Sequence, residues 1–345
     1  MQVKYFPYSL KLAKVFKISY EARTEQPTLI VELSHDGVKG YGEATAISYY
    51  HVTQDQMVEK LKEITPFLES YNFSTPEKLW DEISPMLING HSFLLSAIDC
   101  AAHDLYGQIN KQKPHEIVAD SSKELPLSNY TISIGTAKEM IDQILDKPWP
   151  VYKLKLGADT DPNVLLEVRK ITDASLRIDA NAAWNLQIAT KWLPYLVESG
   201  VELVEQPFAI DNTDDLDAFR EICEIPIVAD ESCQKEEDVE LCAKHFDAIN
   251  IKLMKCGGLT PAIRMVKRAK ELNLKLMAGC MTESSVGISA MTQIATSLDY
   301  IDADGAILLS NDPAEGVKVI DGKIIFPDAY GLGINLKKEI LDVVV

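Results

Sequence analysis

Five polar residues close five short apolar runs in the middle of this chain: Lys155 ends YKLK, Asp179 ends LRID, Glu205 ends VELVE, Asp230 ends IPIVAD and Lys252 ends INIK. They are spaced 24, 26, 25 and 22 residues apart. Each run is rich in Val, Ile and Leu, as a strand buried on both faces should be. One strand, one helix and two short loops fill each step. A polar group at the C-terminal end of successive parallel strands is where a (β/α)8 barrel carries its catalytic residues. Asp179, Glu205 and Asp230 offer three hard oxygen donors with no His or Cys beside them, a set suited to Mg²⁺ or Mn²⁺ rather than zinc. A single Asp in such a place is more often a helix cap or a solvated loop acid. Three at one period, each directly after a buried strand, argue against that.

Lys153 and Lys155 are two apart on a strand, so both point into the barrel while Leu154 and Leu156 face the helices. Lys252, on the sixth strand, lies roughly across the barrel from Lys155. A lysine beside a divalent cation and a second ammonium is expected to have a lowered pKa, which suits proton transfer near neutrality. Two lysines on opposite sides of one bound carboxylate could remove a proton from one face and return it to the other. The plainer reading of Lys252 is an ion pair with Glu205 or Asp230. Asp302 and Asp304, on the eighth strand, suit a substrate ammonium, although either one alone could be a loop cap. Gly257-Gly258 lacks the residues that flank a phosphate loop and reads as a turn. His103 and His245 read as surface or packing residues, and the cysteines, Cys280 included, as small apolar fillers.

The elements that must hold these residues follow from the same rhythm. It predicts eight strands starting near 130, 151, 176, 202, 226, 248, 275 and 300, with helices between them, among others at 162–170, 186–199 and 261–272. Residues 1–45 read as strands at 3–8, 16–18, 28–33 and 40–44, with a hairpin turn at Asp36-Gly37. Helical periodicity follows at 56–71, 76–87 and 92–109. The polar stretch 113–127 marks a boundary, and 317–345 reads as a hairpin about Asp321-Gly322 with a glycine-rich tail returning to the N-terminal unit. The expectation is an α/β chain in two parts: an α+β domain over 1–115, joined by 317–345, and a barrel over 125–316.

Composition narrows the partners. A net charge of -18 disfavours nucleic acid and anionic membrane, which need clustered Lys and Arg. No apolar run approaches the ~18 residues of a membrane span. The N-terminus alternates polar and apolar residues like a strand, not a signal peptide. Six cysteines with no CxxC pair fit a reducing cytoplasm rather than a disulfide framework.

KLK at 153–155, DAN at 179–181, VEQP at 204–207, ADES at 229–232 and NIKLMK at 250–255 resemble, in order and spacing, the muconate-lactonizing-enzyme subgroup of the enolase superfamily. The resemblance runs over essentially the whole chain. It implies a capping α+β domain over a modified TIM barrel, (β/α)7β. It also implies Mg²⁺ (with Mn²⁺ admissible) on Asp179, Glu205 and Asp230, and acid/base roles for Lys155 and Lys252, with Lys153 tuning Lys155. Within the subgroup, the DxD of Asp302 and Asp304 is similar to that of the dipeptide epimerases, where the pair holds the α-ammonium of the substrate. GCMTES at 279–284 is similar to their seventh-strand segment. The resemblance therefore implies a substrate pocket that includes Met281, Thr282 and Thr131.

The implied reaction is 1,1-proton transfer at the Cα of a dipeptide's C-terminal residue through an ene-diolate, with L-Ala-D/L-Glu from peptidoglycan turnover as the leading substrate. A homo-oligomer is the family's habit. N-acylamino acid racemisation, o-succinylbenzoate synthesis and muconate cycloisomerisation are the rivals within the subgroup, but their substrates have no ammonium for a DxD to bind. A Schiff-base aldolase barrel would use a lysine without needing three metal acids. A non-catalytic barrel would need neither. Side-chain specificity in Ala-Glu epimerases rests on an arginine in the loop after the first strands. In FKISYEARTEQP that place falls to Glu21 or Arg23: Arg23 would favour an acidic residue, Glu21 a neutral or basic one.

Overall fold

The computed structural model describes residues 1–18, 21–113 and 124–341. The chain opens with a three-stranded antiparallel sheet of β1 (Gln2–Ile18), β2 (Glu21–His35) and β3 (Val38–Thr45). The segments predicted at 3–8 and 16–18 are one strand, because β2 is long enough to pair with both. The register shifts between Lys11 and Phe16, and that irregularity is the break the sequence pattern registers. Asp36 and Gly37 take positive φ values of 49° and 80°, the backbone of a tight hairpin turn between β2 and β3.

Two helical segments cover this sheet, α1 (Gln54–Ser70) and α2 (Pro76–Asn110). Thr53 opens α1 with a reciprocal capping box to Gln56. The helix α2 is interrupted at Asn89, Gly90 and His91, with Gly90 at φ 90°, so the break predicted between 87 and 92 is real. Its second half lies directly on β3, where Gly40 and Gly42 make room for it. A Cβ on Gly42 would sit 2.0 Å from the carbonyl oxygen of Ala97.

A parallel barrel follows. Its strands are β4 (Tyr130–Ile132), β5 (Val151–Lys155), β6 (Ser175–Asp179), β7 (Val201–Glu205), β8 (Ile227–Ala229), β9 (Ala248–Ile251), β10 (Lys275–Gly279) and β11 (Tyr300–Asp302), paired in sequential order. Each begins within one residue of its predicted start. Helices α3 (Ala137–Asp146), α4 (Asn163–Arg169), α5 (Leu186–Glu198), α6 (Thr213–Arg220) and α7 (Asp238–His245) follow the first five strands. The short α8 (Leu253–Cys256) and then α9 (Leu259–Glu271) follow β9, and α10 (Ser285–Met291) follows β10. A parallel bridge from Ser128 to Ile301 brings the first and last strands together. The arrangement is the expected (β/α)7β barrel with an N-terminal capping domain. Inside it, Leu203, Val228, Ala248, Met277 and Tyr300 form a small apolar layer, and the polar residues stand above that layer because side chains on one strand face repeat every second residue.

Polar clamps join cap and barrel. Glu43 of β3 accepts hydrogen bonds from Ser284 N (3.0 Å), Ser284 Oγ (2.6 Å) and Gly287 N (3.0 Å) at the start of α10. Asp99 of α2 accepts Thr260 N at 2.9 Å and Thr260 Oγ1 at 2.7 Å, with His103 Nε2 3.0 Å from the same hydroxyl. The tail returns to α2, where Leu332 N donates to Asp104 Oδ1 at 2.7 Å. Among the described residues no helix is long and apolar enough to cross a membrane.

Gly258 lies within the Asp99 clamp at φ 127° and ψ -168°, a conformation open essentially to glycine alone. A Cβ there would stand 2.3 Å from Asp99 Oδ2. Gly258→Ala is therefore expected to destabilise the chain by about 3 kcal/mol or more, from backbone strain plus the displaced clamp. Urea titration followed by circular dichroism measures this, and an unchanged midpoint would show that the clamp carries no stability.

Candidate active site

Strand register builds the site. Lys155 pairs with Asp179 across β5 and β6, and Asp179 with Glu205 across β6 and β7. Neighbours in register point to the same face of a sheet, so these three side chains enter the barrel at one level. Asp230 follows β8 by one residue and Lys252 follows β9 by one. Gln206 ties the loops after β7 and β8 together, its Oε1 accepting from Asp230 N at 3.0 Å and Ser232 N at 3.1 Å. Asn181 (φ 45°), Ala182 (φ 59°) and Gln206 (φ 36°) all adopt left-handed backbone directly after site strands. Such strained residues cluster where the surroundings hold a site in place.

Asp179, Glu205 and Asp230 are buried, and one carboxylate oxygen from each lies within 4.8 Å of the others. Asn250 Nδ2 donates to Glu205 Oε1 at 2.8 Å. Glu205 Oε2 makes no hydrogen bond and has only an ion contact with Lys153 Nζ at 2.7 Å. Three buried carboxylates that bring an oxygen each into one cluster fit a hard divalent cation. Burial by itself would raise Asp179, but Lys153 and Lys155 outweigh it and hold the carboxyl below its ordinary range. Asp230 is likewise held low against burial, by Lys252 and Lys255. Glu205 goes the other way, to about 7, through burial and the neighbouring Asp179 charge.

Lys153 and Lys155 meet on one oxygen, Asp179 Oδ2, at 3.0 and 2.6 Å. Lys153 also reaches Asp302 Oδ2 at 3.0 Å, so it joins the acid cluster to the eighth strand. Lys252 Nζ stands 2.7 Å from Asp230 Oδ2, which makes the ion pair real. In the sheet order, β5 and β9 are four strands apart among eight, so Lys155 and Lys252 enter from opposite walls. The lowered pKa expected of Lys252 beside a cation is not what the chain's own charges produce. Burial lowers it, but Asp230 outweighs burial and Lys252 ends well above the usual lysine value.

A cavity with about 660 Å³ of empty space, part of it open solvent, reaches Lys153, Lys155, Asp230 and Lys252. Thr131, Met281, Thr282, Asp302, Asp304 and Arg23 all line it. Asn129 Nδ2 donates to Asp302 Oδ1 at 2.7 Å, and Thr131 N donates to Asp304 Oδ2 at 2.6 Å. Burial and the adjacent Asp302 push Asp304 up to about 7. Arg23 hydrogen-bonds Gln26 Oε1 and lies 5.9 Å from the centre of the Phe16 ring. The Glu21 side chain lies outside the described residues.

Several lining residues have no counterpart in the sequence reading. Cys280 is more than an apolar filler, since it faces the cavity with Sγ 3.9 Å from Asp304 Oδ1. Glu231 and Asn181 stand beside two of the acids, and the strand-end pattern that singled out Asp230 and Asp179 could have included them. Phe16, Ile47 and Tyr50 come from the cap, and no local pattern in the sequence aims a capping residue at a barrel mouth. Lys255, buried behind Asp230, likewise gives no local signal.

With this geometry in hand, likeness to known proteins becomes specific. Residues 136–340 match the family model described as enolase C-terminal domain-like, and residues 1–117 match the mandelate racemase / muconate lactonizing enzyme N-terminal domain. The chain belongs to the enolase superfamily. An L-Ala-D/L-amino acid epimerase from Maribacter sp. is 45% identical over 98% of this chain and 100% of its own. Another from Flavobacterium johnsoniae is 42% identical over 95% and 98%. The crystal structure of a dipeptide epimerase from Cytophaga hutchinsonii, complexed with Mg and D-Ala-L-Val, superposes with a TM-score of 0.92 at 26% identity, covering 100% of this chain and 98% of that one. Within the superfamily this chain is an isomerase of the dipeptide epimerase group.

Proposed function

We propose that the chain is a Mg²⁺-dependent dipeptide epimerase that inverts the Cα of the C-terminal residue, with L-Ala-D/L-Glu as its leading substrate and peptidoglycan peptides as the source. Capping residues 1–115, joined by 317–345, close over the barrel of 125–316. The observation that carries the reading is the pair of lysines, Lys155 and Lys252, on opposite walls of a cavity that Asp230 also lines, with Asp179 and Glu205 buried in one cluster with Asp230. Held by Asp179, Glu205 and Asp230, the ion would bind the substrate carboxylate and stabilise the charge that develops there when the α-proton leaves.

One lysine takes the α-proton from one face and the other returns a proton to the opposite face. Lys153 holds Asp179, Glu205 and Asp302 in one charged array. Asp302 and Asp304 take the substrate's ammonium, which separates this reaction from racemisation of N-acylated amino acids, whose substrates carry none. Burial strengthens each of these charge contacts. The cysteines, all unpaired, suit a reducing cytoplasm.

Arg23 would receive an acidic side chain at the second position. Its contacts with Gln26 and Phe16, and the apolar Ile47 and Leu308 that line the same cavity, support a second reading in which neutral second residues are also accepted. Proton NMR of L-Ala-L-Glu with the protein and Mg²⁺ in D₂O tests both. The expected result is loss of the Glu α-proton signal and appearance of the L-Ala-D-Glu diastereomer. Exchange with neutral Ala-X dipeptides as well as with L-Ala-L-Glu would select the second reading. Silence with every free dipeptide, but exchange with N-acylamino acids, would overturn the ammonium assignment.

A further inference from the structure

Lys255 stands behind the acid cluster rather than in it. Its side chain is about 1% exposed, and it does not line the cavity over the site. The ammonium makes three contacts: with Asp230 Oδ1 at 2.6 Å, with the Asp230 carbonyl oxygen, and with the Asn250 carbonyl oxygen at 3.2 Å. An ammonium has three protons to donate, so this one is fully used. Lys252 takes the other carboxylate oxygen of the same residue, Oδ2, at 2.7 Å.

The two lysines therefore divide Asp230 between them. One faces the cavity, and the other fixes the carboxylate from the rear through both its side chain and its backbone. The bond to Asn250 O extends the arrangement, because the Asn250 side chain donates to Glu205 Oε1. Two of the three acids in the cluster thus have their orientation tied to one buried ammonium.

The cap holds the base from which Lys255 projects. Lys255 lies on the one-turn helix α8, and Trp80 Nε1 donates to Gly257 O at 3.1 Å just beyond it. Thr45 N and Oγ1 contact Met254 Sδ at 3.4 and 3.5 Å. The Asp99 clamp on Thr260 follows a few residues later.

We propose that Lys255 is a positioning residue for the divalent-cation site, setting the rotamer of Asp230 and, through Asn250, the approach of Glu205. This rests on the metal assignment under Proposed function but not on the identity of the substrate. The alternative role, an ion pair that only supports stability, makes the opposite prediction for metal affinity. Removing a positive charge this close to a cation site should by electrostatics tighten cation binding. Loss of the carboxylate's orientation should weaken it, as loss of an outer-shell partner typically does by about 10–100-fold.

The experiment is titration of the full-length protein with Mn²⁺, read by EPR of the free ion, for wild type, Lys255→Met and Lys255→Arg, with no dipeptide present. Lys255→Met keeps the aliphatic stem and removes the charge. The expected result is a Kd for Mn²⁺ raised about 10-fold or more. Lys255→Arg keeps the charge, but a planar guanidinium cannot direct three protons to the same three acceptors. It should bind Mn²⁺ more weakly than wild type and more tightly than Lys255→Met, and it serves alone if the Met variant does not fold. An unchanged or lower Kd in either folded variant overturns the proposal and leaves Lys255 a structural ion pair, even if the melting temperature falls. A wild type that binds no Mn²⁺ overturns the metal assignment itself, and this inference with it.

Discussion

Asp230→Asn is expected to lower turnover by about 10²–10³-fold, the scale of loss when one charge-stabilising group goes, and to weaken Mg²⁺ binding in parallel. The residue is the shared partner of two buried ammonium groups, Lys252 at 2.7 Å and Lys255 at 2.6 Å, and one of three converging carboxylates. The amide is nearly the same size and can still accept a hydrogen bond, so packing is conserved. The negative charge is lost, and two buried cations are left undercompensated. Breaking one side of a buried ion pair costs about 3–5 kcal/mol, so folding must be checked by circular dichroism before activity is read. The measurement is α-proton exchange by NMR beside Mn²⁺ titration. A folded variant with near-normal exchange would remove Asp230 from the metal site.

Lys155→Ala should produce an asymmetric defect. Lys155 lies on β5, and Lys252 follows β9 on the opposite wall, so each faces one side of a substrate held over the carboxylates. Loss of a positioned acid/base group costs about 10²–10⁴-fold. Full epimerisation needs both lysines and should fall by that amount. Exchange of the α-proton with solvent needs only the lysine on the face from which that proton leaves. One stereoisomer should therefore lose wash-out almost completely, while the other still exchanges through Lys252. Single-turnover exchange from each diastereomer in D₂O reads the two faces separately, and equal loss from both would contradict a division of labour by face. Lys153 complicates the arrangement, since it shares Asp179 Oδ2 with Lys155. Removing Lys155 frees that oxygen for Lys153, so the variant should stay folded while losing its chemistry.

The sequence determined the barrel and the floor of its site, for a physical reason: strands buried on both faces read as continuous apolar runs, and the residue that ends each run cannot be hidden in the core. That pattern is local. It located Lys155, Asp179, Glu205, Asp230 and Lys252, and the alternation along β5 added Lys153 to the same interior.

Only tertiary structure decided how these charges are shared. Lys153 spans from Glu205 to Asp302, residues on strands far apart in the chain, and no spacing rule predicts which oxygen it takes. Lys255 carries no local signal in the sequence; its role depends on α8, which turns it back onto Asp230. The direction of the Lys252 shift also depended on tertiary structure, because it is set by burial against the charges of Asp230, Lys153 and Glu205, which three other strands bring beside it. The cap's contribution, Phe16, Ile47 and Tyr50 at the mouth and Asp99 on the turn that carries the lysines, depends on docking two domains whose contacts are separated by more than a hundred residues. Local periodicity reports which face of an element is buried, and it has no term for what that face will meet.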